Sequence, residues 1–511
     1  MTPPQPDTPP QPDTGRLSGT PLPDWLAGAL VFLASAAVLV LEIVGLRLIA
    51  PYIGITLETS SAIIGVALAA IAAGAWTGGR LADETDPRRR LGLLLLAGGA
   101  LMMLVPPVVA RAGQELAGTG AGGVLFLAAL AVFFPAAVLS AVPPMVVKLQ
   151  LASLSRTGTV VGRLSGIGTV GAIAGTFLTG FVLVTLIPSR LILIGTGGVL
   201  LVAGAAVSAY LRTAGSDRRA AAAILVVGVL TAGLTVFGSR LCDVETSYHC
   251  ARVVSDPARP TGRLLLLDTL RHSYVDAEDP TYLEFNYVNA IVSVADVIAP
   301  PGEPLVTLHI GGGGLTIPRY LAATRPGGRN VVLEVDPGVA EIAQDLRPPL
   351  GSDLNLRIVD GRVGLGQQGD DAFDLVVGDA FGGLSVPWHL TTREAVQEVR
   401  RTLRSDGVYA LNVIDYPSGD FARAEMATVL SEFDHVAVVA TAGGLDLSVG
   451  GNYVIVASDQ ELTLTAIQAR LDEREAPLQI LAGTGLTEFV GDRAVLTDDY
   501  APVDQLLTPY R

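Results

Sequence analysis

The chain has 511 residues, of which 50% are hydrophobic and 16% are charged, and its formal net charge is −15. A chain of this length usually forms two or more domains, and so small a charged fraction argues against an ordinary soluble protein. The negative charge repels phosphate backbones, which excludes nucleic acid as an expected partner. Residues 1–240 hold 15 basic and 10 acidic residues, whereas residues 241–511 hold 19 and 39. This change of charge predicts a domain boundary near residue 240.

The first residues are rich in proline. Residues 1–23, MTPPQPDTPPQPDTGRLSGTPLP, repeat the sequence PPQPDT. Such a composition cannot bury a core, so we predict a disordered cytosolic tail. The segment lacks the basic start and the cleavage site of a signal peptide.

Long apolar stretches follow the tail. Each has about the 20 residues that an α-helix needs to cross a hydrocarbon core of about 30 Å. We therefore predict a multi-pass helical membrane domain over residues 24–239. Its seven or so spans are expected near residues 25–50, 60–81, 91–110, 122–147, 161–187, 190–211 and 219–238.

Basic residues are concentrated in alternate loops between these spans. The loops near 80–90, 148–163 and 212–219 hold three or four Lys or Arg each, and the other loops have about one. By the positive-inside rule, these three loops and the N-terminus are cytoplasmic. Seven crossings would then put residues 240–511 outside, so the charge count favours that side for the C-terminal part.

Two ionisable residues interrupt the first span, in LEIVGLRLIAP. Glu42 and Arg47 are costly in hydrocarbon and usually face a partner or a cavity. Being five residues apart, they point about 140° apart around a helix. We therefore expect them to pair with other helices, although Arg47 could instead extend to the membrane surface.

Both cysteines follow the last span, in CDVETSYHC. Cys242 and Cys250 are spaced so that they can close a small disulfide in an oxidising compartment. Two ordinary thiols are the alternative, and the spacing does not decide between them. A disulfide would agree with an outside location.

An apolar run, four glycines and a helical stretch come next, in LVTLHIGGGGLTIPRYLAAT at residues 305–324. With NVVLEVD after it, this order predicts the first strand–helix–strand unit of a Rossmann-like parallel sheet. The second strand ends in Glu334 and Asp336, the third (LRIVDGR) in Asp360 and the fourth (FDLVVGDAFG) in Asp379. Acids and glycines at the carboxyl ends of consecutive parallel strands predict a nucleoside site.

The glycine turn does not have the spacing of a dinucleotide site. Such a site has glycines at GxGxxG spacing and free amides at the helix start for a pyrophosphate. Here Pro318 lies in the opening of the helix, and a nucleoside without phosphate needs no anion site. The acid of VDGR also suits the amino group of an adenine, so the pattern favours an S-adenosyl nucleoside over NAD.

Residues 240–511 resemble the spermidine synthases (polyamine aminopropyltransferases), and the whole chain resembles the membrane-fused bacterial members of that family. The resemblance implies a small N-terminal β subdomain over 240–300 and a Rossmann-like domain over 301–511. The segments that carry it are GRLLLLDTLRHSYVDAEDPTYLEF, LHIGGGG, LEVDPGVAEIAQ, VVGDAFGGLSVPWHLTTREAVQEVRRTLRSDGVYALNV and LTDDYAPVD, with LEIVGLRLIAP and VGRLSGIGTVGAIAGTFLTGF in the membrane half.

The resemblance implies transfer of an aminopropyl group from decarboxylated S-adenosylmethionine to a cationic diamine such as putrescine, without a metal. It also implies a homodimer, because the family often pairs subunits. The residues implied are Gly311, Gly312, Gly313, Glu334, Asp336, Asp360 and Gly361 for the nucleoside, with ribose on Glu334 and Asp336 and adenine on Asp360 and Gly361. Asp379 is implied as the catalytic residue, and Tyr274, Tyr282, Glu284 and Asp498 for the amine.

Two positions depart from the soluble family members. They have an acid after the third glycine, where this chain has Gly314, and DSSD where this chain has DAFG, so that Gly382 replaces the last acid. Two alternatives therefore stay open: another S-adenosylmethionine-dependent transferase, such as a methyltransferase, and a non-catalytic polyamine transporter or sensor. The acceptor amine is not identified by the residues. Because S-adenosyl nucleosides are made inside cells, the side of the C-terminal domain also stays open.

Overall fold

The computed structural model describes residues 22–54, 57–116, 121–151, 157–211, 218–238, 242–346, 353–383 and 385–507. The tail predicted over residues 1–23 lies almost wholly outside these ranges, as do parts of two of the arginine-rich loops. Within them, a bundle of apolar helices is followed by a small β-sheet and a larger α/β part.

Seven helices of the described ranges are long and apolar enough to cross a membrane, which confirms the predicted number. Large apolar side chains point away from the bundle, for example Phe181 and Val202, which are 73% and 72% exposed. Such surfaces suit contact with lipid. The helices are α1 (Asp24–Ile53), α2 (Leu57–Glu84), α3 (Pro87–Leu116), α4 (Gly122–Gln150), α5 (Thr157–Leu186), α6 (Ser189–Tyr210) and α7 (Arg219–Val236).

Glycines bring α5 against α1. A Cβ atom at Gly171 would lie 2.4 Å from the carbonyl oxygen of Phe32, and one at Gly175 would lie 2.6 Å from that of Ala36. The two helices therefore meet backbone to backbone, as small residues allow in membranes. Packing against α1 accounts for Gly168, Gly171 and Gly175 of the fifth span, and no close contact is found for its other glycines within the described residues.

Arg47 connects the bundle to the segment that follows it. Its guanidinium donates to the carbonyl oxygens of Thr246 at 2.6 Å and Ser247 at 2.8 Å, and lies 3.5 Å from the carboxylate of Glu245. The expectation that Arg47 pairs with another helix was therefore wrong, because the end of α1 meets the segment at the first strand of the small sheet there. Glu42 has no hydrogen bond or ion pair to a residue in the described ranges.

The cysteine pair closes a loop at this junction. Cys242 and Cys250 form a disulfide, the first of the two states that the spacing allowed. Four antiparallel strands follow in the order β1-β2-β3-β4, within the residues 240–300 where the resemblance implies a small β subdomain, and we use that name for this sheet. They are β1 (Val244–Glu245), β2 (Cys250–Ser255), β3 (Gly262–Leu267) and β4 (Leu270–Asp276).

The larger sheet has eight strands in the order β12-β10-β11-β9-β8-β5-β6-β7. The four predicted parallel strands are confirmed as β5 to β8, and β9 joins them in parallel, while the far side of the sheet is antiparallel. The strands are β5 (Val306–Ile310), β6 (Arg329–Glu334), β7 (Asp353–Ile358), β8 (Phe373–Gly378), β9 (Leu403–Asp415), β10 (His435–Ala440), β11 (Gly451–Ser458) and β12 (Gln479–Ala482).

Helices cover both faces of this sheet. Leu375 and Val377 of β8 point toward α8, whereas Val376 points toward Phe421 of α13, so successive side chains alternate between two apolar cores. The strand ends are the part of the sheet left uncovered. The helices are α8 (Asn286–Ile298), α9 (Thr316–Thr324), α10 (Pro337–Asp345), α11 (Gly361–Gly366), α12 (Arg393–Thr402), α13 (Asp420–Leu430), α14 (Ala442–Leu445), α15 (Leu464–Glu473), α16 (Gly483–Val490) and α17 (Val503–Leu506).

Candidate active site

A cleft of about 70 Å³ lies at the carboxyl ends of β5, β6 and β8. Ligand sites are commonly about 300–1,000 Å³, so part of the lining would have to move to admit a nucleoside. Seven of the eight residues predicted for the nucleoside and the catalytic step line this cleft. They are Gly311, Gly312, Gly313, Glu334, Asp360, Gly361 and Asp379.

The turn after β5 requires glycine at its first position. Gly311 has a φ of +97°, and a Cβ atom there would lie 2.3 Å from the carbonyl oxygen of Asp379. Side chains are disfavoured at such φ values. Gly313 has a φ of +49°, and its Cβ would lie 2.7 Å from the hydroxyl of Ser273 in β4. The glycine turn is thus held between β8 and the small β subdomain.

Glu334 holds this turn from the end of β6. Its carboxylate accepts the backbone N–H groups of Gly312 at 2.9 Å, Gly313 at 3.3 Å and Asp336 at 2.9 Å. Burial raises the pKa of Glu334, while the three N–H donors act in the opposite direction. Since each carboxylate oxygen has two lone pairs, Glu334 can hold the turn and still accept a ribose hydroxyl.

Asp336 lies outside the lining of the cleft. Its Oδ1 accepts the backbone N–H of Gly338 at 2.9 Å, which caps α10, and its other oxygen accepts the hydroxyl of Thr246. The predicted ribose contact of Asp336 is thus not supported by its position. The reason is local: β6 ends at Glu334 and Pro337 begins a helix, so Asp336 takes the N-cap position.

Asp360 stands where the third predicted strand gives way to α11. Its Oδ1 accepts the backbone N–H of Val363 at 3.1 Å, and its Oδ2 lies 3.1 Å from Nε2 of His389. The next residue, Gly361, leaves no room for a side chain, because a Cβ would lie 2.7 Å from Ile310. An adenine edge could therefore approach the backbone there, with Asp360 and His389 beside it.

Asp379 follows β8 and reaches the cleft below the glycine turn. The protein packed around its carboxyl raises the pKa of Asp379 to about 6, although hydrogen bonds from Asn412 and Tyr287 favour the charged form. The Asn412 amide donates to Oδ1 at 2.8 Å, and its own oxygen accepts from the Asn452 amide at 2.9 Å. A carboxylate with this pKa can accept a proton near neutral pH.

The four residues predicted for the amine do not line the cleft. Tyr274 donates to Asp256 at 2.8 Å, and Tyr282 donates to Glu284 at 2.8 Å. Asp498 accepts the hydroxyl of Thr392 at 2.6 Å and lies 3.2 Å from the guanidinium of Arg362, the residue after Gly361 of the lining. All four residues are thus engaged by other side chains outside the lining of the cleft.

Several cleft residues escaped sequence reasoning. Burial lowers the pKa of His272 to about 4, with a smaller contribution from the charge of His249, so this imidazole is neutral at pH 7. Isolated histidines and asparagines carry no spacing pattern, and no signal in the sequence singled them out. The residues missed are His249, His272, Phe381 and His389 in the lining, and Tyr287 and Asn412, which hydrogen-bond to Asp379.

Loss of the Asn412 amide is expected to raise the pKa of Asp379. Asn412→Ala removes a donor that stabilises the charged carboxylate. The midpoint of the acidic limb in the pH profile of kcat/KM should therefore rise from about pH 6 to roughly pH 7. More Asp379 is then protonated at neutral pH, and the rate there falls. Asn452→Ala, which leaves the direct donor in place, should give a smaller shift. An unmoved limb would mean that Asp379 is not the titrating group.

Known proteins match this chain over part of its length, and no family model matches it. A polyamine aminopropyltransferase of Vibrio vulnificus is 31% identical over 167 residues, 31% of this chain and 54% of that protein. One of Chromobacterium violaceum is 26% identical over 211 residues, 40% of this chain and 76% of that protein. A probable spermidine synthase from Corynebacterium glutamicum, known from a crystal structure, is 25% identical with a TM-score of 0.48, covering 52% of this chain and 99% of that one.

The match spans about half the length of the first of these relatives. The relatives bear the name of the family that residues 240–511 resemble. Seven apolar helices stand before the α/β part in this chain, which suggests the membrane-fused arrangement. The resemblance to the spermidine synthase (polyamine aminopropyltransferase) family is thus confirmed.

Proposed function

We propose that this chain is a membrane-bound aminopropyltransferase that moves the aminopropyl group of decarboxylated S-adenosylmethionine to a diamine such as putrescine. The observation that carries the proposal is the Asp379 carboxyl, which lies beside the glycine turn and has a pKa raised to about 6 by burial. The similarity to polyamine aminopropyltransferases supports the reaction class.

In this reaction the amine nitrogen attacks the methylene carbon next to the sulfonium. A C–N bond forms, the C–S bond breaks, and methylthioadenosine leaves with the electron pair. The attacking nitrogen must lose a proton, and we assign its acceptance to Asp379. We assign the ribose to Glu334 and the adenine to Asp360 and Gly361, all of which line the same cleft. The protein's main contribution is then to hold the two reactants in line.

A methyltransferase is the second candidate. It is favoured by Gly314 and Gly382, which stand where the soluble aminopropyltransferases have acids. The same cleft would then hold S-adenosylmethionine, and the group transferred would be a methyl. A non-catalytic sensor would keep the nucleoside site without turnover.

Product analysis with the purified full chain in detergent separates these functions. We expect methylthioadenosine and spermidine in equal amounts from decarboxylated S-adenosylmethionine and putrescine, and no S-adenosylhomocysteine from S-adenosylmethionine. Formation of S-adenosylhomocysteine from S-adenosylmethionine, without methylthioadenosine or spermidine from the other pair, would assign methyl transfer. Binding of methylthioadenosine without either product, together with putrescine uptake by vesicles that contain the protein, would assign the transport or sensor role.

We also propose that the α/β domain lies on the side of the membrane opposite the N-terminus. Seven helices that could each cross the membrane support this, and so does the Cys242–Cys250 disulfide, which suits an oxidising compartment. The substrates would then have to be present outside. A reporter enzyme that works only outside the cytoplasm should be active when fused after Arg511. A reporter that works only in the cytoplasm should be inactive there, and its activity would contradict the assignment.

A further inference from the structure

A second cavity, of about 430 Å³, lies where the helix bundle meets the small β subdomain. The bundle contributes the C-terminal ends of α1, α3 and α7 and the beginning of α6, which all lie at one end of the bundle. The opposite wall is the loop closed by the disulfide of Cys242 and Cys250, together with Asp268. The volume falls within the range of about 300–1,000 Å³ that is usual for small-molecule sites, and the position corresponds to one surface of a membrane.

The carboxylates that line this junction cavity are engaged by the protein itself. Glu245 accepts the backbone N–H of Ser189 at 3.0 Å and lies 3.5 Å from Arg47. Asp268 lies 2.8 Å from the imidazole of His249 and accepts the backbone N–H of Cys250 at 3.0 Å. Asp243 accepts the backbone N–H of Val253 at 2.8 Å.

The lining carries three arginines and three carboxylates, and two of these arginines have no close carboxylate partner within the lining. Arg190 is half-buried and has no hydrogen bond or ion pair to any residue in the described ranges. Arg111 has only Glu115, one turn further along α3 at 3.6 Å, with both side chains more than 70% exposed, and such a pair contributes little. Two guanidinium groups are therefore available to an anion, and guanidinium binds phosphate oxygens in pairs of hydrogen bonds.

The bundle wall of the cavity is apolar. Leu48, Val109 and Leu234 line it, and Leu234 is 65% exposed on the outer surface of the bundle. An alkyl chain in the bilayer could thus lie against α7 while its headgroup occupies the cavity. A free phosphate would use the arginines but leave this apolar wall without a partner.

We propose that the junction cavity binds the anionic headgroup of a membrane phospholipid, with the phosphate on Arg190 and Arg111 and an acyl chain along Leu234. His249 lines both this cavity and the nucleoside cleft, so a bound headgroup lies behind one wall of that cleft. The inference does not depend on the proposed reaction, because it rests on the charges and the apolar wall of the junction.

The test is lipid retention by the purified full chain in a neutral detergent, measured by native mass spectrometry. With equal amounts of phosphatidylglycerol and phosphatidylcholine, we expect one phosphatidylglycerol per chain to be retained preferentially. Arg190→Gln with Arg111→Gln should weaken that binding by roughly tenfold or more, since each variant removes charge-assisted hydrogen bonds. Arg111 would lose only its exposed pair with Glu115, and Arg190 has no hydrogen bond or ion pair to lose within the described ranges, so the variant should fold normally.

Arg80→Gln is the matched control. Arg80 lies at the other end of the bundle, with its guanidinium 4.2 Å from the centre of the Trp76 ring, and its loss should leave retention unchanged. Equal loss in all variants, or equal retention of the two lipids, would reduce the observation to the general lipid shell and overturn the proposal. Full competition by glycerol 3-phosphate would also overturn it, by assigning the cavity to a soluble anion.

Discussion

Asp379→Asn is expected to lower the rate of the proposed aminopropyl transfer by roughly 10²- to 10⁴-fold, the contribution usual for a general base. In the native protein Asn412 donates to Oδ1 of Asp379 at 2.8 Å. The amide oxygen of the introduced asparagine can still accept this hydrogen bond, but it cannot take a proton from the amine substrate. The affinity for methylthioadenosine should change little, because the proposed nucleoside contacts lie on other residues. The rate is measured as methylthioadenosine release, and the affinity by calorimetry on the full chain.

Asp415→Asn is the matched control for this variant. Burial raises the pKa of Asp415 to about 6 as well, but its carboxylate accepts the backbone N–H groups of Tyr416 and Ala422 and does not line the cleft. The control should therefore keep its catalytic rate. If both variants lost activity to the same extent, the effect would come from a buried carboxyl in the fold and not from a base.

Gly311→Ala is expected to remove most nucleoside binding. At a φ of +97° the new Cβ would lie 2.3 Å from the carbonyl oxygen of Asp379 and 2.8 Å from its carbonyl carbon. Backbone atoms cannot rotate away as a side-chain tip can, so the turn or the end of β8 must move. Conformational strain of about 1–3 kcal/mol adds to about 1–3 kcal/mol of overpacking. The turn would relieve that strain by moving away from its position in the cleft. This displacement should lower the affinity for methylthioadenosine more than about tenfold.

Gly382→Ala provides the comparison for Gly311→Ala. A Cβ at Gly382 meets nothing within 4 Å, and its φ is not in the positive range. Its effect on stability should stay within about 0.5 kcal/mol, as is usual for surface substitutions. Thermal unfolding of both variants separates loss of the site from loss of the fold. Equal nucleoside affinities in the two variants would show that the glycine turn does not shape the cleft.

The parts of the fold that the sequence could predict are those with a local signal. Seven apolar stretches predicted seven helices, because hydrocarbon thickness sets a length that can be read along the chain. The strands β5 to β8 were predicted because buried parallel strands are short apolar runs that end in turn residues. The positions of Gly311, Glu334 and Asp379 at one edge follow from that topology, since parallel strands present their carboxyl ends together.

Contacts between distant segments had no such signal. Asn412 meets Asp379 because β9 lies beside β8, and Asn452 meets Asn412 because β11 lies beside β9. The residues of a single strand do not indicate which strand will pair with it. Asp336 shows the opposite case, in which a residue at a correctly predicted strand end turned to cap a helix and accept from Thr246.

By itself, the sequence determined the apolar helices long enough to cross a membrane, the order of the parallel strands along the chain and the acids and glycines at their ends, because periodicity and segment length are local properties. Only the tertiary structure decided which of those acids face the cleft, that Arg47 reaches residues about 200 positions away, and that the bundle and the β subdomain enclose a second cavity. The physical reason is that such contacts depend on which elements pack together, and packing is selected by the burial of whole surfaces rather than by any single stretch of residues.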